Sequence, residues 1–393
     1  MTTVPLIMCS NTQKKYKAVG DYIIMSREQA GKALRKIIGE VREGNFPYQE
    51  REKTATNWND YDRAQCHEIS DMLILIRESV DFAVRIMKAN QPPKNKGPGR
   101  PPCRSSDVAK ALLLQSYFDV PNRVAEGLLL LFSEKMGISN TFSYKTIERG
   151  YDRESVGKIL DTVFKLTNEP VRGLEKVFSV DGSGSPTNIR QNYARDRQIQ
   201  RRGEVLPDDS MAESISDPKH DYVYKLAIVG TKYKLFAGWR STTDHSIGET
   251  SMFPGVMADA IENHPNMEQM LGDGIYATRP ICKLVGRYNV TPRFLPRRNI
   301  IMRSKGVKEW AEMLWELYRT PQEWLREYHM RSISETGFSM LNVANTGPLR
   351  KRLDRRRTTE DYLRGVCHNI RRLCYLFYLE GINAIQTWQN ITA

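Results

Sequence analysis

The 393-residue chain is long enough for two or three domains and at least one sizeable core. Hydrophobic residues at 40% and charged residues at 27% exclude a disordered or collagen-like polypeptide. The formal net charge of +13 makes a polyanion the favoured partner, because a basic surface attracts phosphates at long range.

In chain order, residues 1–95 read as a helical N-terminal region and a candidate for DNA end binding, with CHEISDMLILIRESVDFAVRIMKAN as its amphipathic helix. Residues 96–104 form a basic Pro/Gly linker. Arg100, in PGRPP, is similar to the Arg of minor-groove hooks, although a plain linker is the better reading. Residues 105–170 carry helical periodicity, broken at Pro121 and at GISNTFSY, with Ser143 as the expected N-cap of one helix through YKTIERGYDRESVGKILDTVFKL. A helix-turn-helix and a simple bundle corner both fit that pattern.

After Arg172 the texture changes to strands. VFSV is the first and is expected to stop at Asp181; YVYKLAIVG and KYKLFAGWRSTT follow as a hairpin joined by a Gly-Thr turn. A helix over 246–263, a strand in MEQMLGDG, a helix through ICKLVGRY, a strand in TPRFLPR and long helices over 305–342 complete the order. That succession predicts an α/β fold with a mixed sheet, here assigned to 171–345. Residues 346–393 are expected to be a basic C-terminal helical segment. The polar connection 187–218, with Arg190, Arg195, Arg197, Arg201 and Arg202, suits DNA contact or a plain hairpin insertion equally.

Three acids stand out by position. Asp181 and Asp273 each end a strand and precede a glycine, and Glu335 lies on a late helix. Asp-Gly is ordinary turn chemistry taken singly. A cluster of three carboxylates, however, is stable only beside positive charge, and a divalent cation such as Mg2+ supplies it with hard-oxygen coordination. Glycines beside the first two acids would keep space clear for a DNA backbone. Tyr328, Arg331 and Glu335 follow at offsets of three and four and are expected on one helical face, with Asn342 two turns further along it. Arg350, Lys351 and Arg352, just beyond that helix, are candidate phosphate contacts. His245 and His368 read as structural, and Trp310, Trp315 and Trp324 as core.

The strand with DG, the later GDG-Y and the Y-x-x-R-x-x-x-E spacing resemble the DDE transposases of prokaryotic insertion sequences, in the group with the Y-(2)-R-(3)-E-(6)-K signature. The DHS after the third strand and CHNIRRLCYL near the C-terminus add to the resemblance, which covers about residues 170–380. One position departs: Asn342 stands where the group has Lys. The resemblance implies a ribonuclease-H-like fold, with Asp181, Asp273 and Glu335 as catalytic residues and as ligands of two Mg2+ ions (or Mn2+ in substitution). It also implies DNA cleavage at the terminal inverted repeats, transfer of the freed 3′-hydroxyl into target DNA, and a homodimer when two ends are paired. About 60 residues separate Asp273 from Glu335, so no large insertion is expected between them. A nuclease on the same fold without strand transfer, and an inactive DNA-binding relative, are the rival readings.

No apolar run approaches the roughly 18 to 20 residues that cross a bilayer, and ALLLQSYF and GLLLLF read as core-helix pieces. The six cysteines lack CxxC pairs, which argues against a disulfide framework or a structural zinc site. A cytoplasmic, nucleoid-associated protein is the resulting expectation.

Overall fold

The computed structural model describes residues 27–47, 55–89, 103–138, 142–190 and 220–392. Arg100 and the arginines at 195, 197, 201 and 202 lie outside the described residues.

Five strands form one sheet: β1 (Val177–Arg190), β2 (His220–Gly230), β3 (Phe236–Thr242), β4 (Gln269–Gly272) and β5 (Thr291–Phe294). Their order is β3-β2-β1-β4-β5; β1, β2 and β3 pair antiparallel, and β1, β4 and β5 pair parallel. This mixed sheet with helices on both faces is a ribonuclease-H-like α/β fold.

Period-two alternation divides the side chains between two layers. Phe178, Val180, Leu226 and Ile228 face one core. That core is shared with α1 (Arg27–Arg42) and, among the later helices, with α7 (Glu249–Asn263), α8 (Arg279–Arg287), α9 (Lys308–Arg319) and α10 (Pro321–Tyr328). Ala227 and Val229 face the other core. It is built with α2 (Trp58–Ala89), α3 (Ser105–Tyr117), α4 (Asn122–Phe132), α5 (Tyr144–Gly150), α6 (Glu154–Asn168), α11 (Ser332–Ala344), α12 (Asp354–Glu380) and α13 (Ala384–Thr392).

The helices of the N-terminal region divide between the two faces: α1 packs on the α9 side, whereas α2 packs on the opposite face against α12. The C-terminal helical segment is part of the core. Leu363, Val366, Ile370, Leu373 and Leu376 of α12 are buried between the sheet and α2, α3 and α6. Asn369 of α12 bonds both main-chain groups of Phe236: its Oδ1 accepts from the amide and its Nδ2 donates to the carbonyl, each at 2.8 Å. An exposed edge strand invites pairing with another chain, and here a side chain occupies that edge instead. Asp361 of the same helix, fully buried, accepts from Ser185 at 2.5 Å and from Trp239 Nε1 at 3.2 Å, with Lys225 Nζ 3.4 Å away.

Several local expectations are corrected. β1 does not stop at Asp181 but continues through Gly-Ser-Gly-Ser to Arg190, because β2 pairs with it from Phe178 to Pro186. The β2–β3 turn spans 231–235 rather than two residues. The helix after β3 starts at Glu249 rather than 246, after Asp244 has turned back to accept from Ser246 N at 2.9 Å. One helix expected over 144–166 is two, α5 and α6, and Ser143 contributes no side-chain cap; Glu126 accepts from the Tyr144 amide at 2.8 Å instead. Of the two Leu-rich runs, ALLLQSY is buried in α3, whereas Leu130 and Leu131 of GLLLLF are exposed on α4. The described cysteines are free thiols, and among the described residues no helix is long and apolar enough to cross a membrane.

Candidate active site

The β1–β4 ladder runs in parallel from Val177↔Gln269 to Ser179↔Leu271, a constant offset. Continued two residues, the same offset sets Asp273 beside Asp181. Asp181 lies in the interior of the β1–β2 ladder, and Asp273 immediately follows β4. Crossing over through α8 leaves the carboxyl ends of β4 and β5 on the same side, where open α/β sheets commonly place ligands.

Odd-numbered residues of β1 face α11. Ser179 Oγ donates to Arg331 O at 3.2 Å, and Asp181, Gly182 and Ser183 form one wall of a cleft of about 600 Å³. The other wall is Glu335, Phe338, Ser339, Asn342 and Val343, a helical stripe at offsets of three and four, with Thr346 just beyond the helix. Asp181 and Glu335 thus meet in one cleft, as expected, with Asn342 further along it. No Lys or Arg among the described residues lines that cleft.

The Tyr-Arg-Glu stripe is not on one helix. α10 ends at Tyr328, a tight turn over His329–Arg331 follows, and Glu335 lies in the first turn of α11. The chain bends because Arg331 must bring its carbonyl to Ser179 and Ser334 while its guanidinium reaches Glu335, Nη2 to Oε1 at 3.5 Å. Tyr328 turns inward, 5% exposed, stacked on Trp324 with centroids 5.1 Å apart. Its ring belongs to the core rather than to a surface that stacks on bases.

Burial raises the Asp181 carboxyl above its ordinary value by disfavouring its charged form, and the negative charges of Glu249 and Glu335 add to this. The Gly182 amide, donating to Asp181 Oδ1 at 2.9 Å, and the Arg331 guanidinium oppose the rise. Asp273 is exposed, and its Oδ1 accepts from Ile275 N at 2.8 Å.

Hard carboxylate oxygens are the donors that Mg2+ or Mn2+ prefers. Among the described residues, though, no three His, Cys, Asp or Glu side chains are gathered closely enough to hold one ion. Asp273 is bonded within its own turn, and Glu335 is paired with Arg331.

Sequence reasoning missed Glu249. This first-turn residue of α7 accepts from the hydroxyl of Tyr224 and, at 2.5 Å, from that of Tyr276. Gly182 is correspondingly not open space. A β-carbon there would lie 2.1 Å from the Tyr224 hydroxyl and 2.9 Å from Glu249 Oε1.

The basic triplet divides. Arg350 is paired with Asp119, and Lys351 is buried, its Nζ on Asn122 Oδ1 at 2.5 Å and 4.0 Å above the Tyr151 ring. Burial holds that ammonium down to about 8. Arg352 is exposed. With Arg123 and Arg356 these three line a second cleft of about 550 Å³. His368 is buried and its Nε2 lies 2.9 Å from Lys234 O, whereas His245 stacks on Tyr222. Trp310 and Trp324 are buried, and Trp315 is half-buried against the same core.

No protein-family model matches the chain. Over 343 residues, 86% of its own length and 95% of the other's, it is 24% identical to the probable transposase for insertion sequence element ISA1214 of Archaeoglobus fulgidus.

Proposed function

We propose that the chain is an insertion-sequence transposase of the DDE type. It would cleave DNA at the ends of a mobile element and join the freed 3′-hydroxyls to target DNA. The observation that carries this is that Asp181 and Glu335 line one cleft, with Asp273 directly after the strand that pairs in parallel with β1. Similarity along most of the chain to a probable transposase supports the same reading.

Asp181, Asp273 and Glu335 would hold two Mg2+ ions, or Mn2+ in substitution, which supply an activated oxygen nucleophile and neutralise charge on the phosphate and the leaving oxygen. Arg331 holds Glu335 in the absence of other positive charge and offers a guanidinium to a phosphate oxygen as the DNA enters. Ser183, Ser339 and Asn342 give the cleft neutral hydrogen-bonding groups along the strand. Exposed Arg352 and its basic cleft contact the backbone further from the acids. Two chains hold the two ends as a homodimer, the protein acting on chromosomal DNA in the cytoplasm.

The test uses duplexes carrying the inverted repeats that flank the gene, incubated with Mg2+. Wild-type protein should nick the repeat boundary and join the 3′ end to a second duplex. Asp181→Asn, Asp273→Asn and Glu335→Gln should each abolish both steps while retaining DNA binding. Cleavage and joining that survive Asp273→Ala would remove the triad assignment, and cleavage without joining would make the protein a nuclease.

A further inference from the structure

We propose that Tyr224, Glu249 and Tyr276 form a bridge that sets the separation of Asp181 from Asp273, with Glu249 as a positioning residue. The proposal rests on the reading of those two aspartates as working acids, and it assigns a role to three side chains outside that set.

Both carboxylate oxygens of Glu249 are used. Oε1 accepts from Tyr224 and Oε2 from Tyr276. Tyr276, 1% exposed, is the last residue of the turn that begins at Asp273. Its amide donates to Asp273 O at 3.2 Å, and its carbonyl accepts from Thr278 N at 2.7 Å. The Tyr276 hydroxyl thus ties the turn carrying Asp273 to Glu249.

The other end of the bridge lies on the Asp181 strand. In the β1–β2 register Tyr224 stands opposite Gly184, and its hydroxyl leans diagonally over Gly182, next to Asp181. Only a residue without a β-carbon leaves room for it there. β4 is four residues long, and its ladder with β1 has its last pair at Ser179↔Leu271, short of both aspartates. Main-chain pairing therefore does not fix the level of Asp273, and the side-chain bridge spans the gap.

Glu249 acts through the tyrosines and not as a ligand. Gly182 and Tyr224 are even-numbered and share the α7 side of the sheet, whereas Asp181 shares a cleft with Glu335 on the α11 side. Groups that orient metal-binding carboxylates typically change cation affinity by about 10- to 100-fold when removed.

Three variants separate this role from its rivals: Glu249→Ala, Tyr276→Phe and the near-isosteric Glu249→Gln. The amide of Gln retains an acceptor for one tyrosine and a donor for the other's oxygen. Two measurements are made on the whole chain well below each variant's melting temperature. The first is amide hydrogen exchange at Ile275 and Tyr276 without divalent cation. The second is Mn2+ affinity by calorimetry. The bridge predicts exchange at least about 10-fold faster, and Mn2+ binding about 10-fold weaker, in Glu249→Ala and Tyr276→Phe. Glu249→Gln should stay within about threefold of wild type in both measurements. Unchanged exchange in Glu249→Ala and Tyr276→Phe overturns the proposal. Loss of Mn2+ binding in Glu249→Gln equal to that in Glu249→Ala, with Tyr276→Phe unaffected, overturns it in favour of direct ligation. Absence of Mn2+ binding by the wild type would instead refute the metal-dependent reading, leaving hydrogen exchange to decide the bridge.

Discussion

The hydroxyl of Tyr224 occupies the space that a side chain on residue 182 would need, 2.1 Å from the position of its β-carbon. The glycine after Asp181 is therefore required by the protein itself, on the opposite face of the sheet from the cleft. Gly182→Ala should cost about 1–3 kcal/mol, the range for overpacking a filled site. Tyr224→Phe in the same background should return part of it, since the closest atom is then gone. A double-mutant cycle in urea denaturation measures the coupling, expected at about 0.5–3 kcal/mol.

Asp181 should make the fold less stable at neutral pH. Its carboxyl is raised above the ordinary 3.8, so the folded state holds the proton more tightly than the unfolded chain. Stability from this group is highest below 3.8 and falls as pH rises from there through the raised folded value, then levels. Asp181→Asn removes that loss. Denaturation midpoints should show the variant more stable than wild type at pH 7, with activity abolished. Added Mg2+ should raise the melting temperature of the wild type and leave that of the variant unmoved.

Two buried histidines act at the acid end. Burial lowers His368 to about 3 and His264 to about 4, each from 6.5. Unfolding exposes both to water, where they take up protons, so their contribution is complete above 6.5 and is lost as pH falls toward 4 and 3. Unfolding at pH 5 should therefore absorb about two protons from these groups. His368→Gln should flatten the pH dependence of stability between 4.5 and 6 by about 1.4 kcal/mol per pH unit. An unchanged slope would mean that His368 is charged in the folded protein.

Asn342 lies in a cleft without a cation among the described residues that line it. Adding one should be visible as counterion release. In Asn342→Lys the slope of log affinity for DNA against log salt should steepen by about 0.7–0.9, one further phosphate neutralised. Asn342→Ala should leave that slope unchanged. Fluorescence anisotropy at four salt concentrations measures both.

Much of the sheet was legible because it rests on local chemistry: apolar strands, turn residues and the shift to helical periodicity. What escaped depends on partners far away in the chain. Gly-Ser-Gly-Ser reads as a loop until Tyr222 and Tyr224, about 40 residues downstream, lie over its glycines. Glu249 looks like an ordinary acid in a first helical turn, and only the folded chain brings Tyr276 to it. Tyr328 shares its offsets with Arg331 and Glu335, although Trp324 four residues earlier already offered a stacking partner inside. Lys351 looked like a phosphate contact until Asn122 and Tyr151 enclosed it.

The bond between Asn369 and Phe236 bears on how the protein is made and how copies of its gene decay. All three acids have been translated by residue 335, yet the amide of Phe236 on the edge strand lacks its partner until the chain reaches Asn369. For that interval the nascent protein carries all three acids on a sheet whose edge is only partly capped. A premature stop codon anywhere between the two positions would yield a product with every acid intact and no closed fold to hold them, inert and prone to pair edge to edge with its neighbours.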